Sequence, residues 1–294
     1  MSITIPIIKN ITLTVGETRV LRAIISPPNA TNRNVSWCSD NEAVATVERG
    51  VVTHNATRAL VTAKSPGTAT ITARIMDYRI REDNYIVNHE YTDTCTVTVV
   101  PNVKIYLSPE SMDKGPGAGK YGMERDRMET LADELHSYLQ SQGYNSTIGF
   151  RDFEEGRDWN KQVADVTTYR INPSNEGYFD LHIALHSNSS DSILAVGPET
   201  YYSLTIQSDK SRVLSEKIQN SLFALYKESF PNAINRWGNH NPQFAELTDV
   251  KAVASYVEVA FHSNESDALW IINNMRKIAK AIGSGIIKYI ENTY

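Results

Sequence analysis

The sequence predicts two domains of different class: an all-β sandwich, followed by an α/β domain with a central sheet flanked by helices. Three observations predict this. The first hundred or so residues alternate apolar and polar side chains in short runs. The remainder alternates apolar strand-like runs with long amphipathic segments. At 294 residues the chain is also too long for one typical domain. The change of pattern falls near Pro101, so the domains read as 1–101 and 102–294.

In the first domain the strand candidates are "ITLTV", "RVLRAII", "NVSWCS", "VATV", "ALVTA", "TATITARI" and "TCTVTVV". Turn-formers such as "SPPNATN" and "KSPGT" separate them. The wording "LTVGET", "VSWCSDNEAVATV", "GVVT", "SPGTATITA" and "CTVTV" resembles bacterial Ig-like domains of group 2. Residues 76–91, "MDYRIREDNYIVNHEY", depart from that resemblance by lengthening the hairpin before the last strand. They read as an exposed extension. Cys38 and Cys95 are the only cysteines. They are expected as free thiols, since domains of this type do not depend on a bridge, and with no CxxC pair a cysteine zinc site is excluded.

The second domain opens with the strand candidate "VKIYL". "MERDRMETLADELHSYLQSQG" is a helix, with Met128, Leu131, Leu135 and Leu139 at helical spacing and Gly143 ending it. "FDLHIALHSN" is a strand, "SRVLSEKIQNSLFALYKES" a helix, and "AVASYVEVAFHSN" a buried strand. "SDALWIINNMRKIAKAIGSGIIKYI" is a final helix with Ser266 as expected N-cap. No apolar run approaches 20 residues, so no membrane span is expected. "MSITIPIIKN" does not read as a signal peptide, so any export would use another route, such as lysis or release from a mother cell, or a signal that is not part of this sequence. A net charge of −5 with no basic stripe argues against nucleic acid as a partner.

"GAGKYG", Gly117–Gly122, matches G-x-G-x-x-G, but no strand runs directly into it, and Lys120 is followed by Tyr121 where a P-loop has Ser or Thr. Those glycines read as a loop that delivers Glu124. On residue grounds alone Glu124 is either a ligand or a helix-end charge, because an acid favours a helix N-terminus and yet this one shares the core-facing stripe. His186 ends a strand at a sheet edge, where ligands and metals gather, although a lone histidine there is often a hydrogen-bonded surface residue. His182 points to the same face but sits about 13 Å away along the strand, too far to share a zinc ion. It reads as a core histidine. Glu258 is flanked by Val257, Val259, Ala260 and Phe261. Burial there raises a carboxyl pKa unless a cation is near, which suits a general base or acid, or else a buried ion pair.

Taken in order, a strand followed by "SP", then "GAGKYGME" before a long helix, "DLHIALHSNS", "VEVAFHSN" and the tail "DALWIINNMRKIAKAIGSGIIKYI" resemble the zinc-dependent N-acetylmuramoyl-L-alanine amidases of the amidase 3 family. The resemblance covers about residues 102–294. It implies a peptidoglycan hydrolase, of the endolysin or autolysin kind, that cleaves the amide between N-acetylmuramic acid and L-alanine. It matches Glu124 and His186 to two zinc ligands and Glu258 to the catalytic glutamate. Asn188 is a candidate substrate contact; His240, in "RWGNHNPQF", reads as a loop residue. One departure stands out. The family carries a third ligand, a histidine, just after the first strand, and here that turn reads "SPESMDKG". Three ligands are needed to hold zinc and leave room for water. His262, four residues past Glu258, is the expected third ligand, and Glu110 is its competitor. Two rivals follow: a cell-wall or phage-particle binding protein with a metal-free amidase domain, and a zinc peptidase acting within the stem peptide.

Overall fold

In the computed structural model the described residues are 2–4, 9–30, 32–53, 56–80, 86–110, 121–149, 179–192, 194–204, 207–236, 244–248 and 250–294. The chain divides into two compact units, Met1–Asn102 and Val103–Tyr294.

The first unit is built from β1 (Ser2–Thr4), β2 (Asn10–Thr14), β3 (Thr18–Ser26), β4 (Val35–Ser39), β5 (Ala45–Thr53), β6 (Ala56–Ala63), β7 (Gly67–Ile80) and β8 (Ile86–Val100). They form two four-stranded sheets, ordered β1-β3-β6-β5 and β2-β8-β7-β4. Period-2 alternation explains the core: Leu21, Ala23 and Ile25 of β3 point inward, as do Ile71, Ala73 and Ile75 of β7. The hairpin of β7 and β8 stays paired out to Ile80 and Ile86, in the stretch expected to be an extension. Cys38 is exposed and Cys95 buried, and both are free. Their places on the sheet show why. Cys38 pairs with Thr72 and Cys95 with Ile71, so their neighbours on β7 point to opposite faces. Thiol titration should find one reactive group in the native protein and two after denaturation; none after denaturation would mean a bridge.

The second unit is a sheet of β9 (Ile105–Pro109), β10 (Ser146–Ile148), β11 (Leu181–Asn188), β12 (Glu199–Tyr202) and β13 (Val253–Phe261), ordered β10-β9-β11-β13-β12. All neighbours are parallel except β12 against β13. Three long helices pack with it: α1 (Glu124–Ser141), α2 (Ser208–Ser229) and α4 (Glu265–Glu291). The short α3 (Ala245–Thr248) packs with β13. Every residue of β9 and β13 is buried, as expected of strands covered on both faces.

Two glycines let α4 lie close to its neighbours. A Cβ on Gly285 would come within 2.6 Å of the Ile218 backbone in α2, and one on Gly283 would collide with the Tyr138 ring in α1. The cap of α4 differs from expectation. It is Asn264, whose side-chain oxygen accepts from the backbone N–H of Ser266 and Asp267 at 3.0 and 3.3 Å. Ser266 lies inside the first turn, because Asn264 is the residue placed to reach both orphan N–H groups.

Candidate metal centre and active site

Parallel strands put their carboxyl ends together, and that edge carries the chemistry. Glu110 follows β9, and its backbone N–H still donates to Leu185 of β11 at 2.9 Å. His186 lies near the end of β11, directly paired with Glu258 of β13. Glu124 is the first residue of α1, and its Oε1 accepts from the Ser187 N–H at 2.7 Å. That bond turns the carboxylate toward the end of β11.

Glu110, Glu124 and His186 converge. One ligand atom from each lies within 4.8 Å of the other two, and all three residues are buried. His186 Nδ1 is 3.1 Å from Glu110 Oε2 and 3.7 Å from Glu124 Oε1. Ligand atoms about 2.0–2.2 Å from zinc in a tetrahedral arrangement stand a little over 3 Å apart, so this donor set fits the ion. The electrostatics fit as well. Burial disfavours a charged His186, yet Glu110, Glu124 and Glu246 overcome this and raise its pKa well above the ordinary value. Buried carboxylates gathered this closely call for a cation, and a metal can take the proton's place.

His262, the expected third ligand, does not join this cluster. Its Nδ1 faces the Ser187 hydroxyl at 2.9 Å and lies 3.8 Å from Glu124 Oε2. Burial lowers its pKa, against the pull of Glu124. The clustered donors are Glu110, Glu124 and His186.

Glu258 is buried, and its Oε2 has no hydrogen-bond partner among the described residues. Burial pushes its carboxyl up to about 8; His186 opposes the shift, while Glu124, Glu199 and Glu110 add to it. This is a carboxyl group that can take and release a proton near neutral pH. Asn188 donates through Nδ2 to Glu199 Oε2 at 3.2 Å. Tyr201 donates to the same oxygen at 2.6 Å, and Arg236 pairs with Oε1.

His182 is buried and stacks on Tyr106, with ring centroids 5.5 Å apart. His240, Ser111, Met112 and residues 117–120 of the glycine-rich loop lie outside the described residues. Two residues escaped the sequence reading. Glu199, between Pro198 and Thr200, lacks the flanking valines that marked Glu258. Glu246, on α3, carried no signal: a helix of four residues shows no periodicity.

Comparisons with known proteins agree with this architecture. Residues 4–75 match the bacterial Ig-like domain (group 2), and residues 110–288 match N-acetylmuramoyl-L-alanine amidase. An Ig-like virion protein of Serratia phage KSP90 is 37% identical over 91 residues, 31% of this chain and 28% of its own length. The chain thus spans little more than a quarter of that curated relative. Among solved structures, the amidase AmiC2 of Nostoc punctiforme is 20% identical with a TM-score of 0.52, covering 64% of this chain and 97% of its own. The CwlD amidase from Clostridioides difficile, solved in complex with the GerS lipoprotein, is 22% identical with a TM-score of 0.53, covering 65% and 100%. These structural likenesses show a shared fold. The match over residues 110–288 takes in more than half of the chain, which therefore belongs to the N-acetylmuramoyl-L-alanine amidase family.

Proposed function

We propose that the second unit hydrolyses the amide between N-acetylmuramic acid and L-alanine in peptidoglycan, with zinc held by Glu110, Glu124 and His186 and with Glu258 as general base. The observation that carries the reading is the pairing of His186 with Glu258 on adjacent strands, beside a three-residue donor cluster. When bound, zinc would supply a Lewis acid that polarises the scissile carbonyl and acidifies a water molecule. The protein's own part begins with Glu258. Its carboxylate takes the proton of the attacking water and returns it to the amine of the departing L-alanine. Burial keeps bulk water from competing for that proton and suits a carboxyl group that must be base and then acid. The Ser187 N–H fixes one oxygen of Glu124, and Tyr256, stacked on His186 with centroids 4.2 Å apart, fixes the plane of the imidazole. Asn188, two residues past His186 and tied to Glu199, is assigned to the substrate path.

The metal-free alternative is not favoured, because the turn that lacks the family's histidine holds Glu110, whose carboxylate reaches the cluster. No helix among the described residues is long and apolar enough to cross a membrane. The Ig-like unit is assigned to tethering or positioning the enzyme at the wall. Its relative in a phage virion protein supports delivery linked to a phage cycle.

Purified protein should clear a suspension of sacculi and expose new L-alanine amino ends, and a strong chelator should stop it. New reducing sugars, or new amino ends from within the stem peptide, would assign the cleavage to another bond. Clearing that survives chelation would remove the metal from the mechanism.

A further inference from the structure

We propose that Glu246 is a positioning residue for His186: its carboxylate holds Nε2–H and so commits Nδ1 to the metal. The proposal rests on the zinc reading above and adds to it a residue outside the ligand set. The two ring nitrogens of His186 face different groups. Nδ1 faces Glu110 and Glu124, while Nε2 lies 3.2 Å from Glu246 Oε2 in a buried hydrogen bond. A neutral imidazole has one donor and one acceptor nitrogen. If Nε2 carries the hydrogen and gives it to Glu246, the lone pair on Nδ1 points at the cluster. The opposite tautomer would set an N–H against the two carboxylates and leave Glu246 facing a lone pair.

Glu246 is itself held in place. It is fully buried, and the Ser108 hydroxyl of β9 donates to its Oε1. The same oxygen lies 3.4 Å from His182 Nε2. Leu247, the next residue of α3, is fully buried in a cluster with Tyr106, Ala184 and Tyr256, which anchors the short helix against the sheet. Glu246 therefore spans both histidines of β11. This gives His182 its place: it lies too far along the strand to reach the metal, but it can face the carboxylate that orients His186. An unpaired carboxylate at this depth would be costly, so its partners decide how it sits. Carboxylates behind metal-binding histidines fix the ring's orientation and raise its basicity, and losing one typically weakens metal binding by about 10–100-fold.

The test uses the full chain, with zinc itself as the probe. Zinc affinity is measured by competition with a chromophoric chelator for wild type, Glu246→Gln and Glu246→Ala, and circular dichroism checks folding. In parallel, nitrogen NMR of histidine-labelled wild type reports the His186 tautomer. The expected result is about a 10–100-fold weaker zinc affinity in both variants, and a zinc-loaded wild type in which His186 has a protonated Nε2 and a metal-bound Nδ1. Unchanged affinity in a folded variant would overturn the proposal. So would a metal-bound Nε2 in the wild type, a result that does not depend on any variant folding. If the wild type binds no zinc, the zinc reading itself fails and this proposal with it, and that outcome is distinct from loss in the variants alone.

Discussion

Glu258→Gln is expected to lower the rate of sacculus cleavage by about 10²–10⁴-fold while zinc content stays unchanged. Glutamine keeps the shape of the side chain and cannot accept the water proton. Glu258 is not among the three clustered donors, so the metal should remain. Near-native turnover would make Glu258 structural. The same variant also has a stability signature in the metal-free protein. The folded carboxyl is raised to about 8, against an ordinary 4.5. Below 4.5 both folded and unfolded chains hold the proton. Between 4.5 and 8 the folded chain holds it and the unfolded chain has lost it, so the wild type loses stability as pH rises, by up to about 1.4 kcal/mol per pH unit. Glutamine does not titrate. Metal-free Glu258→Gln should therefore gain on the wild type across that window. Parallel pH profiles would show that the burial of Glu258 does not perturb its titration.

How far this site could be read from the sequence depended on how local each signal was. Glu258 was legible because burial follows from immediate neighbours: an acid between valines on a strand has few ways to be solvated. His186 was legible from its place at the end of an apolar run. The helices were legible from period alone, as with Met128, Leu131, Leu135 and Leu139, all fully buried in α1. What stayed hidden depended on contacts between distant parts of the chain. Glu246 meets His186 across 60 positions of sequence, through a helix too short to leave a pattern. Gly283 and Gly285 leave no local signal of their use, which shows only in the packing of α4 against α1 and α2. The choice between Glu110 and His262 was hidden for a related reason. Both adjoin strands that end at the site, and sequence says nothing of which way a side chain turns after its strand stops.

Glu110→Ala should abolish tight zinc binding, and His262→Ala should keep a full equivalent after dialysis. The geometry distinguishes the two residues. The backbone N–H of Glu110 pairs with Leu185, which carries it along β11 to His186, and its Oε2 stops 3.1 Å from Nδ1. His262 Nδ1 meets the Ser187 hydroxyl at 2.9 Å and stands 3.8 Å from Glu124 Oε2, outside the clustered donors. Losing Glu110 leaves two protein ligands, too few for a stable site, and the fall in affinity should exceed the roughly 10–100-fold expected for an outer partner. Losing His262 should cost no more than that outer-partner range. Two carboxylates and one imidazole also make a more anionic site than two imidazoles and one carboxylate, which weakens the metal as a Lewis acid. Glu110→His would put an imidazole back beside the end of the first strand. It should bind zinc at least as well as the wild type if position 110 is where the ligand belongs. If His262→Ala loses its zinc while Glu110→Ala keeps a full equivalent, the third ligand is His262, and Glu110 is a buried acid paired with His186.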